Sequence, residues 1–220
     1  MKKFFVTAFA CCMALTSLDV SAQAKWKPLF GENLAEAEYN PAVWSMKEGV
    51  LTAVKDESIW TKVEYENFEL DLEFKTDHET NSGVVVYCTD TKDWIPNSVE
   101  IQIADDYCDK WGNSDPTWKC AAVFGHLAAN QERVVKRPGE WNRMRIRCFG
   151  QTITIELNGK LVTNMNMAEW TSGTVNPNGS KIPGWLPKPF STLPTKGKIG
   201  LQGKHGNATI WFRNIDIKSI

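Results

Sequence analysis

Apolar residues recur at every second position over long stretches of this chain, and no stretch of ten or more residues follows a helical period. Phe68, Leu70, Leu72 and Phe74 alternate with Glu69, Asp71, Glu73 and Lys75. Met144, Ile146 and Cys148 alternate with Arg143, Arg145 and Arg147. After Gly150-Gln151 the pattern resumes as Ile153, Ile155 and Leu157 against Thr152, Thr154 and Glu156. Side chains of a strand point alternately to its two faces, so each stretch predicts a strand with one buried face. Asn158-Gly159 predicts a tight hairpin into a short strand ending near Val162. A last strand is expected over 208–217, where the apolar parity changes between Phe212 and Ile215 and predicts a β-bulge near Arg213-Asn214. Many short strands without internal repeats predict an all-β fold, a two-sheet antiparallel β-sandwich of jelly-roll type.

The N-terminus reads differently. Lys2 and Lys3 precede an apolar run over 4–18, and Ala22-Gln23-Ala24 offers a small-residue cleavage site. This pattern predicts a secretory signal peptide over 1–24, with export to the periplasm or the medium. The run is too short for a membrane span, and no other stretch is long enough for one. The sequence Ala8-Phe9-Ala10 before Cys11 and Cys12 is a poor lipid-attachment signal, which favours cleavage after Ala24. Residues 25–220 then form one domain, with a net charge of about −2 and no basic patch to hold nucleic acid.

Four cysteines remain in that domain: Cys88, Cys108, Cys120 and Cys148. Export permits disulfides, and four cysteines allow three pairings. Cys108 and Cys120 flank one polar, Trp-bearing loop and are expected to bond; Cys88 and Cys148 either pair or stay as buried thiols. No Cys-x-x-Cys or His-x-x-x-His spacing points to zinc. The loop over 105–119 and a long Pro-, Gly- and Trp-rich segment over 164–194 interrupt the strand pattern. Irregular segments of this length in compact domains are functional or disordered, and the embedded tryptophans favour function. Ten tryptophans in 220 residues supply flat faces for sugar rings as well as core filling, and about half are expected in the core.

The stretch 98–105, Ser-Val-Glu-Ile-Gln-Ile-Ala-Asp, brings the chemistry. Val99, Ile101 and Ile103 bury one face of a strand, while Glu100 and Gln102 share the other and Asp105 follows. Carboxylates move protons and amides hold hydroxyls, the pairing that sugar-processing sites use. The plainer alternative is a solvated outer face.

Short segments in order along the chain then acquire a collective meaning: Lys27-Pro28-Leu29-Phe30-Gly31, Glu48-Gly49-Val50-Leu51, Asn67-Phe68-Glu69-Leu70, Asn81-Ser82-Gly83-Val84, Glu100-Ile101-Gln102-Ile103, Glu140-Trp141-Asn142-Arg143, Leu157-Asn158-Gly159-Lys160, Gly200-Leu201-Gln202, His205-Gly206 and Phe212-Arg213-Asn214-Ile215. Together they resemble the bacterial 3-keto-disaccharide hydrolase family, also described as 3-keto-glucoside lyase/hydratases. The resemblance implies a concanavalin A-like lectin/glucanase fold. On that sandwich, laminarinase-type retaining glycosidases carry Glu-x-Asp-x-x-Glu. Here the spacing reads Glu100-x-Gln102-x-x-Asp105, and an amide in the middle cannot ionise.

The chemistry that the resemblance implies needs a base for the C2 hydrogen beside a C3 ketone, a donor for the enolate oxygen and an acid for the leaving group. Glu100 is the first candidate for acid or base, Asp105 the second and His205 the third. Gln102, Gln202 and Asn81 are candidates to hold hydroxyls. His126, Tyr87 and Arg213 are further substrate-binding candidates, Arg213 through a pairing with Glu73 or Glu100. The structural alternatives are a loop-tip His205, turn chemistry at Asn81-Ser82-Gly83, a core His126 and a solvated Arg213. Trp141-Asn142 is expected to be structural, with Trp141 in the core. No spacing motif demands a cofactor; Glu100, Asp105 and His205 could converge on a divalent metal. The expected partner is a small carbohydrate. A non-catalytic lectin-like module and a conventional glycoside hydrolase are the competing readings.

Overall fold

The computed structural model describes Met1 and residues 25–220. The expected leader and its cleavage site fall almost wholly on 2–24, outside the described residues. Thirteen strands form among the described residues. They are β1 (Lys27–Pro28), β2 (Ala37–Glu38), β3 (Trp44–Lys47), β4 (Val50–Ala53), β5 (Ile59–Thr61), β6 (Phe68–Thr76) and β7 (Asn81–Cys88). The others are β8 (Val99–Ala104), β9 (Trp141–Phe149), β10 (Thr152–Leu157), β11 (Lys160–Asn166), β12 (Lys198–Leu201) and β13 (Ile210–Ser219).

They build the expected two-sheet antiparallel sandwich. The larger sheet runs β11-β10-β9-β6-β13-β4-β3, with β1 also on β13; the smaller runs β2-β5-β12-β7-β8. The two-residue period decides what lies between the sheets. Phe68, Leu70, Leu72 and Phe74 of β6 and Met144, Ile146 and Cys148 of β9 have no exposed surface, and neither do Val99, Ile101 and Ile103 of β8. Each such side chain contributes about 1.5–3 kcal/mol by leaving water. The bulge on β13 lies at Asn214, whose φ is +50°, and pairing with β6 shifts register between Arg213 and Asp216. That break lets one half of β13 pair with β4 and the other with β1. The hairpin at Asn158 and Gly159 has φ of 51° and 79°, the positive values a tight hairpin turn needs.

Four expectations change. β11 continues to Asn166 instead of ending near Val162. Trp141 lies outside the core, because β9 sends Asn142, Met144 and Ile146 inward and its odd-numbered residues outward. Tyr87 is a core residue and not a sugar ligand. Its φ of +57° marks a bulge that turns it into the sandwich, where its hydroxyl donates to the Gly150 carbonyl at 2.8 Å. Finally, Cys108 and Cys120 do not form the expected bond. All four cysteines are free, buried thiols. The Cys108 sulfur instead caps the four-residue helix α1 (Asp109–Gly112), accepting from the Trp111 amide at 3.4 Å and donating to the Asp105 carbonyl at 3.2 Å.

The two sheets treat their outer faces differently. The larger sheet wets its face behind ion pairs, including Arg143 and Arg145 on Asp71. Strands β7 and β8 of the smaller sheet are buried on both faces, so other chain must cover them. The segment 121–124 pairs with the free edge of β8 through Gln102, Ala121 and Phe124 backbone bonds. The preceding loop lays Trp111 and Trp118 against Ala104. The long segment after β11 joins the cover, because the Asn176 amide bridges the Trp170 indole and the Gly125 carbonyl.

Candidate active site

Glu100 and Gln102 reach the outer face of the smaller sheet because their neighbours fill the core. In the β7–β8 register, Gly83 stands opposite Gln102 and Val85 opposite Glu100. The Glu100 side chain folds across β7 over Gly83. A Cβ at that position would lie 2.5 Å from Glu100 Oε1, so the glycine leaves the carboxyl room to lie where it does. Gln102 is buried and donates through Nε2 to Asn81 Oδ1 at 3.0 Å. Just past the end of β12, the Gln202 backbone N–H donates to the Gly83 carbonyl at 2.9 Å, which sets the Gln202 side chain beside the same strip. Its Oε1 is buried and has no hydrogen-bond partner among the described residues.

Above this polar floor stands an aromatic wall. Trp94, Trp111, Trp118, Trp185, Phe124 and Ile95 line a cavity of about 330 Å³ that also contains Glu100, Gln102, Asn81, Gln202 and His205. Trp118 anchors the wall, with ring centroids 5.7 Å from Phe124 and 6.2 Å from Trp185. The Trp111 indole is fixed by donation to the Glu79 carbonyl at 3.1 Å.

Two proton-handling groups meet here. Burial among these rings, and secondarily the negative charge of Asp56, push the Glu100 carboxyl up to about 8. No hydrogen bond to that carboxyl is formed among the described residues, and a pKa raised to about 8 favours its neutral form below that pH, with a proton to give. At the cavity rim, His205 Nδ1 lies 2.5 Å from Asp56 Oδ2. A carboxylate on Nδ1 holds the proton there and leaves Nε2 as a base.

The sequence candidates therefore divide. Glu100, Gln102, Asn81, Gln202 and His205 come together. Asp105 does not join them. It is buried, and its oxygens accept from the Glu79 and Tyr107 amides at 3.0 Å, tying the loop start to the β6–β7 turn. The trio considered for a divalent cation is therefore not assembled, and among the described residues no group of three or more His, Cys, Asp or Glu is placed to hold a metal ion.

His126 is a supporting residue behind Phe124. Its ring stacks on Phe190 at 3.7 Å, Nδ1 bonds the Phe124 carbonyl at 2.8 Å, and desolvation pushes its pKa down to about 4. Arg213 lies on the other sheet. It bonds Glu73 at 2.6 Å and sits 4.0 Å from the Trp141 ring centre, with no access to Glu100.

The sequence reading missed Asp56, whose loop shows no periodicity, and the individual aromatic wall residues. Trp in the two irregular segments was the available signal, and Trp111, Trp118 and Trp185 come from them.

Comparison with known proteins bears on the family and the fold. A family model described as the 3-keto-alpha-glucoside-1,2-lyase-like domain matches residues 25–218. A solved structure of a candidate glycosyl hydrolase from Parabacteroides distasonis ATCC 8503 is 73% identical, with a TM-score of 0.88 over 89% of this chain and 100% of that one. A second candidate glycosyl hydrolase from the same organism is 20% identical, with a TM-score of 0.65 over 89% of this chain and 88% of that one. A Bacillus subtilis protein of unknown function with a galectin-like fold, 11% identical, has a TM-score of 0.55 over 90% of this chain and 96% of that one, a likeness of fold alone. No curated protein matches the chain. Among the described residues no helix is long and apolar enough to cross a membrane.

Proposed function

This chain belongs to the 3-keto-alpha-glucoside-1,2-lyase-like family, and from that membership we propose that it cleaves glycosides oxidised at C3, by elimination across C1–C2 followed by hydration. The supporting observation is the Glu100 carboxyl, neutral, without a hydrogen bond and on the floor of an aromatic cavity. The C3 ketone acidifies the C2 hydrogen. His205 Nε2, oriented by Asp56, takes that proton and leaves an enolate. The enolate closes a C1=C2 bond while the C1–O bond breaks, and Glu100 protonates the departing oxygen. The leaving group departs as an alcohol. Glu100, now a carboxylate, takes a proton from water as that water adds to C1. The imidazolium of His205 returns a proton to C2, which restores both groups and releases the free 3-keto sugar.

The rest of the site binds the sugar. The indoles offer stacking faces for the ring. Gln202 Oε1 accepts from a hydroxyl, and the Gln102–Asn81 pair presents further amide groups. The leader pattern over 1–24 supports a working place outside the cytoplasm, periplasmic or secreted.

The test compares a 3-keto-disaccharide with its unoxidised parent, using the protein over 25–220. The expected outcome is release from the keto sugar alone. Glu100→Gln keeps shape and polarity but removes the proton donor, and turnover should fall by roughly 10²-fold or more, the usual scale for a general acid. Near-normal turnover by that variant would move the acid to another residue. Binding without turnover by the parent protein would make the site a lectin.

A further inference from the structure

Gln202 is 9% exposed, and its side-chain Oε1 has no hydrogen-bond partner among the described residues. A buried acceptor without a donor is destabilising, so one kept beside a cavity points to a donor supplied by a ligand. Which donor it receives follows from how the backbone fixes Gln202.

Gln202 is pinned to β7 through both of its backbone polar groups. Its N–H donates to the Gly83 carbonyl at 2.9 Å, and its carbonyl accepts from Ser82 Oγ at 2.8 Å. Three residues on, the His205 N–H donates to the Asn81 carbonyl at 3.3 Å. The turn between them packs against the loop that carries Asp56. The Lys204 N–H donates to the Lys55 carbonyl at 3.0 Å, and a Cβ on Gly203 would lie 2.6 Å from the Glu57 carbonyl oxygen. Gln202 and His205 are thus anchored two residues apart on one strand, a span of roughly 7 Å by the strand rise. Glu100 lies over Gly83, at the Gln202 end of that span, and all three side chains line the same cavity.

We infer that Gln202 is a specificity-determining residue that accepts a hydrogen bond from the hydroxyl on C2 of the keto sugar, and that this bond strengthens as the C2 hydrogen leaves. The inference rests on the roles proposed above for Glu100 and His205. Glu100 serves the oxygen on C1 and His205 the hydrogen on C2, so the C2 hydroxyl is the sugar hydroxyl nearest to both. Loss of the C2 hydrogen makes C2 trigonal and its hydroxyl enolic. An enolic hydroxyl is more acidic than an alcohol and a better donor, so an acceptor fixed on it favours the transition state over the ground state. A neutral amide suits the place. A carboxylate there would stand beside Glu100 and near Asp56, and like charge would hold back the proton that Glu100 has to give.

The test compares the methyl 3-keto-glucoside with its 2-deoxy analogue, which keeps the ketone, an acidic C2 hydrogen and the leaving group. The parent protein should favour the hydroxy substrate by roughly 10²-fold in kcat/KM, most of it in kcat, because the analogue leaves the buried acceptor unpaired. Gln202→Met keeps the bulk and removes the acceptor, and should lower that ratio at least tenfold. Gln202→Glu keeps an acceptor, so it should hold more of the ratio than Gln202→Met while moving the alkaline limb of kcat/KM to higher pH. A parent ratio near one would overturn the inference. So would a Gln202→Met variant that loses activity on both substrates alike, the result of a merely structural role. If Gln202→Met does not fold, Gln202→Glu decides: an unmoved limb overturns the inference.

If the parent protein turns over neither substrate, the 3-keto reading fails. Gln202 is then judged by tryptophan-fluorescence titration with methyl glucoside and methyl 2-deoxyglucoside. Tighter binding of methyl glucoside, lost in Gln202→Met, supports its pairing with the C2 hydroxyl; equal affinities, or no binding of either, overturn it.

Discussion

A carboxyl group set beneath indoles answers to its surroundings more than to solvent. Glu100 is neutral because charging it would strand an anion among aromatic rings and beside Asp56. The sign of the consequence follows from linkage. Below pH 4.5 the group is neutral in folded and unfolded chains alike; between 4.5 and about 8 only the unfolded chain ionises, so stability falls as pH rises through that window. Glu100→Gln should therefore melt with the parent protein near pH 4 and above it near pH 9, by on the order of a few kcal/mol, reduced by the exposure Glu100 keeps to the cavity. The same residue sets an activity limb. A general acid with its pKa near 8 predicts a kcat/KM that declines as pH rises through about 8 and a limb that is absent in Glu100→Gln. A rate that increases through that pH would assign Glu100 as base. At this scale the sequence was legible where strand parity governs: Glu100 and Gln102 had to oppose Ile101. It was not legible where one backbone angle intervenes, as at Tyr87, whose positive φ turns it to the core. Asp105 and Asp56 show the same limit, since a carboxylate in a loop is assigned by its partners and only the fold supplies them.

Strands and loops share the work of placing those residues. The strands were readable because a two-residue period has few solutions, and the Asn158-Gly159 turn and the Asn214 bulge carry local chemistry that sequence displays. Trp141 follows the same parity, and its outward position was available from Asn142, Met144 and Ile146. The cover over the small sheet was harder to foresee, because it depends on contacts between distant segments such as Asn176 with Gly125 and Trp118 with Trp185. The β7–β8 pair carries the element-scale prediction. Gly83→Ala adds one methyl group where Glu100 Oε1 would lie 2.5 Å away, so the carboxyl must move while the core face of the pair stays intact. Turnover should fall by on the order of 10²-fold, the cost of misplacing a catalytic group by about an ångström, with a far-ultraviolet circular dichroism spectrum like the parent's. Full activity in Gly83→Ala would separate Glu100 from the chemistry.

At the scale of the whole molecule, one sandwich face is committed to charge pairs and the other to a covered cleft. The cover is held by packing and by hydrogen bonds of the Asn176 side chain, and no disulfide crosslinks it among the described residues. Thiol titration of denatured protein over 25–220 without reductant should find four free thiols; two would restore a crosslink. The cleft is the feature on which the proposed function depends, since that proposal assigns the proton donor to Glu100 and the base to His205 beside a single sugar. The most direct test is cleavage of a 3-keto-disaccharide in deuterium oxide, with the product followed by nuclear magnetic resonance. Elimination and hydration predict free 3-keto sugar carrying deuterium at C2 and no product from the unoxidised parent. Product without deuterium at C2, or equal cleavage of the parent sugar, would contradict it.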